Sequence, residues 1–428
     1  LFIMSLRDVL HPMTIRERLE RLHRSHNTII VFWYPWYWRQ GEAARLRQWV
    51  SHLEWMSRRS LLAKVRFICK AILWPLVAGL ALIFAWRRYA KESVLIDDRS
   101  MGRQFWELCV FTFWYGGSPT EYYNRGMFNE DFPSVLREFI SGHECVVLAN
   151  ALNGEGEAGI KNKGQFESIC VTAGVPVVPV LCSLKPSRGE AFLADFEIPR
   201  VDLFLKPAHR DRGVGIERWD FDESSDSWSF NGRVLPAGGL RAHLKEVAVT
   251  DAYILQQAVS NHSSVACFSL SGAVTFRVVT VCDGLSEPEV IAAYLAAPRG
   301  HTVTNHEGNG GMVAELDIST QRFGAAFSDT PYVEKHRNHP DTGAQIEGVE
   351  FADWPELAAL AVRTHALFSD VFSVGWDVVY TPEGFRLLEG NTLWGMSPGL
   401  FLGRTCYVRK CLRLLSLRGG SKCRTNSQ

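Results

Sequence analysis

The sequence predicts an α+β protein preceded by a mainly helical, basic N-terminal region, and three observations lead there. An acidic strand pair carries Asp377 and Glu389, a buried strand at Val201–Pro207 ends on a lysine beside a glycine-bearing loop, and the first ninety or so positions combine arginine clusters with one apolar run. At 428 residues the chain exceeds one typical core, so two or three domains are expected. Composition and pattern set off a basic, aromatic-rich helical segment over 1–95, a helical to mixed lead-in over 96–160 and a basic tail over 406–428, with the α+β region between.

The N-terminal segment concentrates positive charge in a chain whose formal net charge is zero. Arg16, Arg18, Arg21 and Arg24 form one cluster, Arg58, Arg59, Lys64, Arg66 and Lys70 a second, and Arg87, Arg88 and Lys91 a third. Such a gradient marks a nucleic-acid or an anionic-lipid face. No RNA-binding or helix-turn-helix signature accompanies it, so nucleic acid is not an expected partner. The lipid reading is supported by the uncharged run Ala71–Trp86, about sixteen residues against the roughly twenty that a bilayer core asks for. Snorkelling of Lys70 would let Ile68 and Cys69 extend it. A secretory signal does not fit a run so far inside the chain, and basic residues on both flanks leave its orientation open. Val31–Trp38 adds an aromatic cluster of the kind that sits at headgroup level. The expectation is membrane contact, as one short span or as an interfacial helix bent at Pro75, with a buried core helix as the alternative. Leu1 is not methionine, and Met4 is a candidate start.

Further along, Lys161-Asn162-Lys163 opens a helical stretch that ends before Gly174-Val175-Pro176-Val177-Val178-Pro179. The strand Val201–Pro207 delivers Lys206, and the loop from Ala208 to Ile216 holds Gly213 and Gly215. A lysine at a strand end beside such a loop can offer a cation and close backbone N–H groups to phosphates. The spacing is not that of a Walker loop. Ser224–Ser227 reads as a polar turn, and Phe230-Asn231-Gly232-Arg233 as a hairpin corner between Trp228 and Leu235. Trp354–Phe368 has helical periodicity and is expected to pack on the sheet carrying Asp377. The basic tail from Arg404 is expected to be unstructured. Ten scattered cysteines without a C-x-x-C pair or zinc spacing point to thiols in a reducing compartment. No internal repeat is evident.

The chemistry concentrates in Val374-Gly375-Trp376-Asp377 and Leu388-Glu389-Gly390-Asn391. Residues i and i+2 of a strand share a face, so Glu389 and Asn391 can reach one ion, with Asp377 joining from the neighbouring strand. A three-residue loop Pro382-Glu383-Gly384, with Gly384 left-handed, would set Asp377 opposite Glu389. Three hard oxygen donors with room left over suit Mg²⁺ shared with substrate phosphates, Mn²⁺ being an alternative. An ordinary acidic edge hairpin is the competing reading. Arg277 alternates inside the otherwise apolar strand Val274–Val281, where burial without an anionic partner would be costly. A phosphoryl group or substrate carboxylate held by its planar fork is one partner, and a core carboxylate the other. His262 and His301 read as loop histidines without an acid–base role.

The order of lysine, helix, Gly-Val-Pro, strand lysine, glycine loop and distal Asp/Glu/Asn resembles the ATP-grasp superfamily, and more narrowly the sugar-transfer-associated ATP-grasp proteins, over Lys161 to Gly403. The resemblance implies an ATP-grasp fold in which two α+β subdomains, 161–255 and 256–405, clasp ATP. It implies that Lys163 and Lys206 hold the phosphates and that the loop through Arg212, Gly213 and Gly215 closes over them. It implies further that the hinge strand Tyr253–Val259, with Gln256, Gln257 and Ala258, meets the adenine edge. Gln257 stands where a glutamate is common, and its amide can still accept from the adenine amino group. Asn261-His262, Arg277 in its strand, Asn305, Gly310-Gly311-Met312 and Asp317 continue the likeness, with Arg277 facing phosphates and acceptor.

By that likeness ATP phosphorylates a carboxylate and an amine or hydroxyl attacks the acyl phosphate. The narrower likeness implies a sugar or amine acceptor in exopolysaccharide or cell-surface glycan assembly, with a small-molecule carboxylate as donor. The reducing compartment of the thiols, the ATP requirement and the run Ala71–Trp86 lead to the cytoplasmic membrane surface as the expected location. Lys206 and Arg277 would be the catalytic groups, since positioning and charge neutralisation dominate phosphoryl transfer. A kinase on the same fold, or an inactive nucleotide-binding scaffold, are the alternatives.

Overall fold

The computed structural model describes residues 41–97, 99–124, 136, 140–184, 196–208, 215–300, 311–328, 334–394 and 405–424. The aromatic cluster Val31–Trp38, the arginines from Arg16 to Arg24, Arg212, Gly213, His301, Asn305 and Gly310 lie outside them. The chain divides into two compact units, Leu1–Leu152 with Pro331–Val333 and Gly395–Gln428, and Asn153–Thr330 with Glu334–Trp394.

The described part of the first unit is helical: Glu42–Ser57, Leu61–Asp97, Met101–Cys109 with a π-helical turn Val110–Trp114, Pro119–Asn124, Gly142–Leu152 and Thr405–Arg424. The apolar run extends into a 37-residue helix with Pro75 inside it. Ser60 starts it, its hydroxyl accepting from the Ala63 N–H at 3.2 Å. Phe67, Ala71, Trp74, Ala78, Leu82 and Ala85 recur every three or four residues and are buried. They pack against the following helices, with Trp74 edge-on to Phe113 and the Trp86 indole donating to the Met101 carbonyl at 2.9 Å. The opposite face, including Ile72 and Leu76, stays exposed. Half of the helix is therefore core and half is not.

The basic tail departs from the expectation of an unstructured end. It is helical from Thr405 to Arg424, because Tyr407, Val408, Cys411, Leu412 and Leu415 form an apolar stripe that is buried. Its surface charge hid that stripe, and Arg409 pairs with Glu42 at 3.1 Å.

The second unit holds two antiparallel sheets. The first contains β1 Val180–Leu184, β2 Leu203–Pro207, β3 Glu217–Asp222, β4 Ser227–Phe230, β5 Arg233–Pro236 and β6 Tyr253–Gln257, in the order β1-β6-β2-β3-β4-β5. The corner between β4 and β5 has φ of 49° at Asn231 and 78° at Gly232, the mirror-image turn that Asn-Gly favours. Trp219, Trp228, Leu240, Leu244 and Leu255 fill the core between this sheet and the helix Ala237–Thr250.

The second sheet contains β7 Thr275–Val281, β8 Glu289–Ala297, β9 Met312–Asp317, β10 Arg322–Ser328, β11 Lys335–His336, β12 Ser373–Thr381 and β13 Gly384–Asn391, in the order β11-β10-β9-β8-β7-β12-β13. One face is closed by the helix Trp354–Ala366, whose Leu357, Leu360 and Ala361 meet Phe276, Val278, Trp376 and Val378 in one core. The helix Lys163–Thr172 adds Phe166 and Cys170 to it. Asn162 caps that helix by accepting from the Gln165 N–H at 3.1 Å. The Gly-Val-Pro segment then runs along β13, where the Val178 N–H donates to the Leu387 carbonyl at 2.9 Å and the Leu387 N–H to the Pro176 carbonyl at 3.0 Å. Lys163 is thereby anchored beside the acidic hairpin.

A polar chain crosses this core. The Trp376 indole donates to Thr280 Oγ1 at 2.7 Å, the Thr280 hydroxyl to His365 Nδ1 at 2.6 Å, and His365 Nε2 to the Val371 carbonyl at 2.8 Å. Burial pushes the His365 imidazole down to about 4, so the folded protein holds it neutral. Between pH 6.5 and 4 the unfolded chain binds the extra proton, and stability falls as pH falls, by about 3 kcal/mol in total. Thermal unfolding across that window should show this slope, and His365→Asn, less stable at pH 7, should flatten it. An unchanged slope in the variant would assign the acid sensitivity elsewhere.

Candidate active site

Five residues stand opposite one another across five strands: Glu315 on β9, Tyr294 on β8, Arg277 on β7, Asp377 on β12 and Glu389 on β13. Directly paired residues share a sheet face. Their strand neighbours Phe276, Leu295, Val378 and Trp376 point the other way and are buried in the core. One face of the sheet is thus structural and the other carries a row of polar groups.

The hairpin reaches the expected pairing by a different route. Thr381 pairs with Gly384, so Pro382-Glu383 is a two-residue loop rather than the expected three-residue one, with Gly384 at the positive φ of 111°. Continued without interruption, that register would point Glu389 and Asn391 into the core with Phe385 and Leu387. A bulge intervenes: Val378 pairs with Leu387 but Asp377 pairs with Glu389, leaving Leu388 as the extra residue. The bulge turns Glu389 and Asn391 to the face of Asp377.

Arg277 holds Asp377 with two parallel hydrogen bonds, from Nε to Oδ1 and from Nη2 to Oδ2, the latter 2.6 Å. The core-carboxylate partner weighed for Arg277 is therefore present, and it is one of the expected metal ligands. Tyr294 lies beneath, its ring centroid 5.9 Å from the guanidinium. Burial lifts the Asp377 carboxyl above its ordinary value against the pull of Arg277, and Asp377 in turn holds Arg277 charged against burial. Gly375 makes room for this pair, since a Cβ there would lie 2.6 Å from Trp394 Cβ and 3.0 Å from Arg277 Cδ.

Asn391 completes the cluster, its Nδ2 donating to Asp377 Oδ2 at 3.0 Å and lying 3.4 Å from Glu389 Oε1. Lys163 Nζ is 3.7 Å from Glu389 Oε2. Lys206, at the end of β2, is pushed down to about 8 by burial, a shift that Glu389 opposes and Lys163 adds to. Both lysines and the carboxylate therefore share one electrostatic neighbourhood. The structure brings together Lys163, Lys206, Arg277, Asp377, Glu389 and Asn391.

Gln256 and Gln257 end β6 and Ala258 follows it. Gln256 is buried and donates to the Val178 carbonyl at 3.2 Å, the Ala258 N–H donates to the Asp202 carbonyl at 2.8 Å, and the Gln257 side chain is exposed. Of these, Gln257 is the one whose side chain is open to a ligand. Gly215 has φ of 79° at the end of the glycine loop. Asn261 closes the turn before β7, accepting from the Val274 N–H and donating to the Gly272 carbonyl, both at 2.9 Å.

Sequence reasoning missed Tyr294 and Glu157. Tyr294 is a polar aromatic in an apolar strand, the signal that singled out Arg277. Glu157 accepts from Thr392 Oγ1 at 2.7 Å and Asn153 Nδ2 at 3.2 Å and pairs with Lys161 at 3.0 Å. Burial alone would raise this carboxyl, but those hydrogen bonds outweigh it and hold it below its ordinary range. It fixes the residue next to Asn391, and no local pattern announces it.

Two carboxylates and one amide oxygen form a donor set for a hard cation that retains ligands from elsewhere. Among the described residues no group of three or more His, Cys, Asp or Glu side chains is placed to hold a metal ion. The residues fit a shared ion and not a closed cage. Taking one up would require Asn391 to present Oδ1 in place of Nδ2 and Asp377 to share its oxygens between the ion and Arg277.

No curated protein matches the chain. Among solved structures it is similar to the D-alanine–D-alanine ligase from Coxiella burnetii, 11% identical over 64% of each chain with a TM-score of 0.36. The D-alanine–D-alanine ligase from Bacillus anthracis is 14% identical over 64% of this chain and 72% of that one, with a TM-score of 0.35. The ATP-grasp ligase PsnB, complexed with precursor peptide PsnA2 and AMPPNP, is 17% identical over 69% of this chain and 73% of that one, with a TM-score of 0.31. The chain spans 64% of the length of the Coxiella ligase. The family described as sugar-transfer associated ATP-grasp matches residues 151–406, more than half of the chain and all of the hairpin, hinge and lysine positions above. The chain belongs to the sugar-transfer associated ATP-grasp family and has the ATP-grasp fold.

Proposed function

We propose that the chain is an ATP-dependent ligase that activates a small-molecule carboxylate as its acyl phosphate and passes the acyl group to an amine or sugar hydroxyl, in assembly of an exopolysaccharide or another cell-surface glycan. Its place is the cytoplasmic face of a membrane, in contact through the N-terminal helices. The observation that carries the chemistry is the row Arg277, Asp377, Glu389 and Asn391 on one sheet face, with Lys163 3.7 Å from Glu389 and Lys206 of the other sheet feeling the charge of both Glu389 and Lys163.

In the first step a carboxylate oxygen attacks the γ-phosphorus of ATP and the bond to ADP breaks. In the second the acceptor nitrogen or oxygen attacks the acyl carbon, phosphate leaves with the electron pair, and the acceptor loses its proton. Lys163 and Lys206 bind and neutralise the triphosphate. Arg277 orients the transferred group with its fork. Asp377, Glu389 and Asn391 would hold Mg²⁺ or Mn²⁺, whose chemistry there would be to screen the phosphate charge. Gln257 contacts adenine, and Arg212, Gly213 and Gly215 belong to the loop over the phosphates.

Glu389→Gln removes charge and not volume at a partly exposed position. It should leave the melting temperature nearly unchanged, while AMPPNP titrated by calorimetry loses most of its Mg²⁺ dependence and turnover falls by at least about a hundredfold. Metal-dependent binding equal to wild type would remove Glu389 from the site.

Lys206 gives a pH signature. With its value near 8 in the free protein, bound phosphates favour the protonated form, so binding takes up a proton above pH 8. Affinity for AMPPNP should weaken about tenfold per pH unit there, and Lys206→Met should be weaker throughout with that dependence gone. A flat wild-type profile from pH 7 to 9 contradicts this role.

Arg277→Lys keeps charge and loses the fork, so turnover should drop much more than ATP affinity. Wild-type protein with ATP, hydroxylamine and a panel of sugar acids and amino acids should yield a hydroxamate, ADP and free phosphate. A stable phosphorylated product without free phosphate would establish the kinase instead. Absence of ATP turnover across the panel would favour the scaffold.

A further inference from the structure

The long helix Leu61–Asp97 carries its own surface chemistry. Ile68, Ile72, Leu76, Leu80 and Ile83 recur every three or four residues and are exposed, Ile72 and Leu76 each at 65%. Phe67, Ala71, Trp74, Ala78, Leu82 and Ala85 form the opposite, buried stripe. The residue types are apolar all round, as in a membrane span, but half of the circumference is already covered by protein.

Charge identifies what covers the other half. Between Leu61 and Lys91 there is no acidic residue, while Lys64, Arg66, Lys70, Arg87, Arg88 and Lys91 flank the apolar run at both ends. Projected at about 100° per residue, Arg66, Lys70, Arg88 and Lys91 fall along one border of the exposed apolar face, and Arg87 falls at its end between the directions of Leu76 and Leu80. All five are exposed. That arrangement lets each ammonium or guanidinium snorkel from the edge of an apolar face to an anionic headgroup. A helical partner of ordinary charge balance would meet no complementary pattern on the face itself.

Orientation follows from the same residues. A span would put one basic flank on the far side of the membrane, against the usual inward bias of lysine and arginine. It would also have to drag the covering helices along, including Glu107 with its partners Arg99 and Arg103. By length and composition alone Leu61–Lys91 could cross a membrane, but its uncharged stretch Ala71–Trp86, about 24 Å long as a helix, is shorter than a bilayer core of about 30 Å. A helix lying flat meets none of these costs, and both basic flanks then reach one headgroup layer. Exposed Phe105, Trp106 and Trp114 on the adjoining segment add aromatic rings suited to that level.

We propose that this helix lies in the plane of an anionic membrane surface, with the Ile68–Ile72–Leu76–Leu80–Ile83 face among the acyl chains and its basic border in the headgroups. The inference rests on the membrane contact proposed above and is independent of the ligase chemistry. It fixes how the catalytic unit is tethered, on one leaflet and without a span.

The test uses the full chain added to preformed sealed vesicles of phosphatidylcholine with or without phosphatidylglycerol. Wild-type protein should sediment with the anionic vesicles at least tenfold more than with neutral ones, and less at high salt. Ile72→Asp with Leu76→Asp, at exposed positions, should keep the melting temperature and lose sedimentation. A bilayer-impermeant maleimide should label both a cysteine at Lys70→Cys and one at Lys91→Cys from outside, read residue by residue. Protection of one end overturns the in-plane orientation and leaves membrane contact standing. Lack of vesicle binding overturns both, and so does a lipid-free dimer that the Ile72→Asp, Leu76→Asp variant dissociates. The hydroxamate assay is unaffected by either failure.

Discussion

The pairing of Arg277 with Asp377 across β7 and β12 is the interaction on which the active face depends. Two charges placed directly opposite each other in the middle of a sheet are costly to desolvate, and removing one partner of such a pair typically costs about 3–5 kcal/mol. The bidentate geometry satisfies both. It also stores a choice. Asp377 is a carboxylate whose oxygens an incoming cation can share, and Arg277 is a fork that an incoming phosphate can share. On the proposed reading, nucleotide binding would exchange one satisfied arrangement for another without leaving a buried charge alone at either stage.

Everything around the pair serves its placement. Gly375 keeps the strand beside it free of a side chain, Tyr294 supplies an aromatic face under the guanidinium, and the bulge at Leu388 brings Glu389 and Asn391 to the same side. Glu157 ties the end of β13 to the segment that leads into Lys163. The opposite face contributes rigidity, with Phe276, Trp376 and Val378 packed under the helix Trp354–Ala366. A functional row on one face and an apolar core on the other is what alternation in a half-buried sheet permits.

The juxtaposition of these side chains was legible in the sequence, for physical reasons. Carboxylate and amide side chains at i and i+2 with a third carboxylate across a turn leave a pattern, as does one arginine in an apolar strand, and the Asn-Gly corner between β4 and β5 follows from backbone sterics. What escaped was non-local. The two-residue loop and the bulge give the same pairing as the three-residue loop expected, so the pattern could not tell them apart. Glu157 acts through a partner 235 positions away. The C-terminal helix was hidden because its basic residues dominate the composition while its buried stripe matters for packing. The apolar run was visible as such, but its one-sided burial depends on helices that follow it.

The central claim is that Asp377 and Glu389 ligate one divalent ion together with nucleotide phosphates. Mn²⁺ bound with AMPPNP to protein carrying ¹³C in its Asp and Glu side-chain carboxyls tests this directly by electron–nuclear double resonance. The account predicts ³¹P and ¹³C hyperfine couplings at the same ion, with Asp377→Asn losing the carboxyl coupling from labelled aspartate and retaining that from labelled glutamate. A ³¹P coupling with no carboxyl ¹³C coupling in the wild-type protein would contradict it.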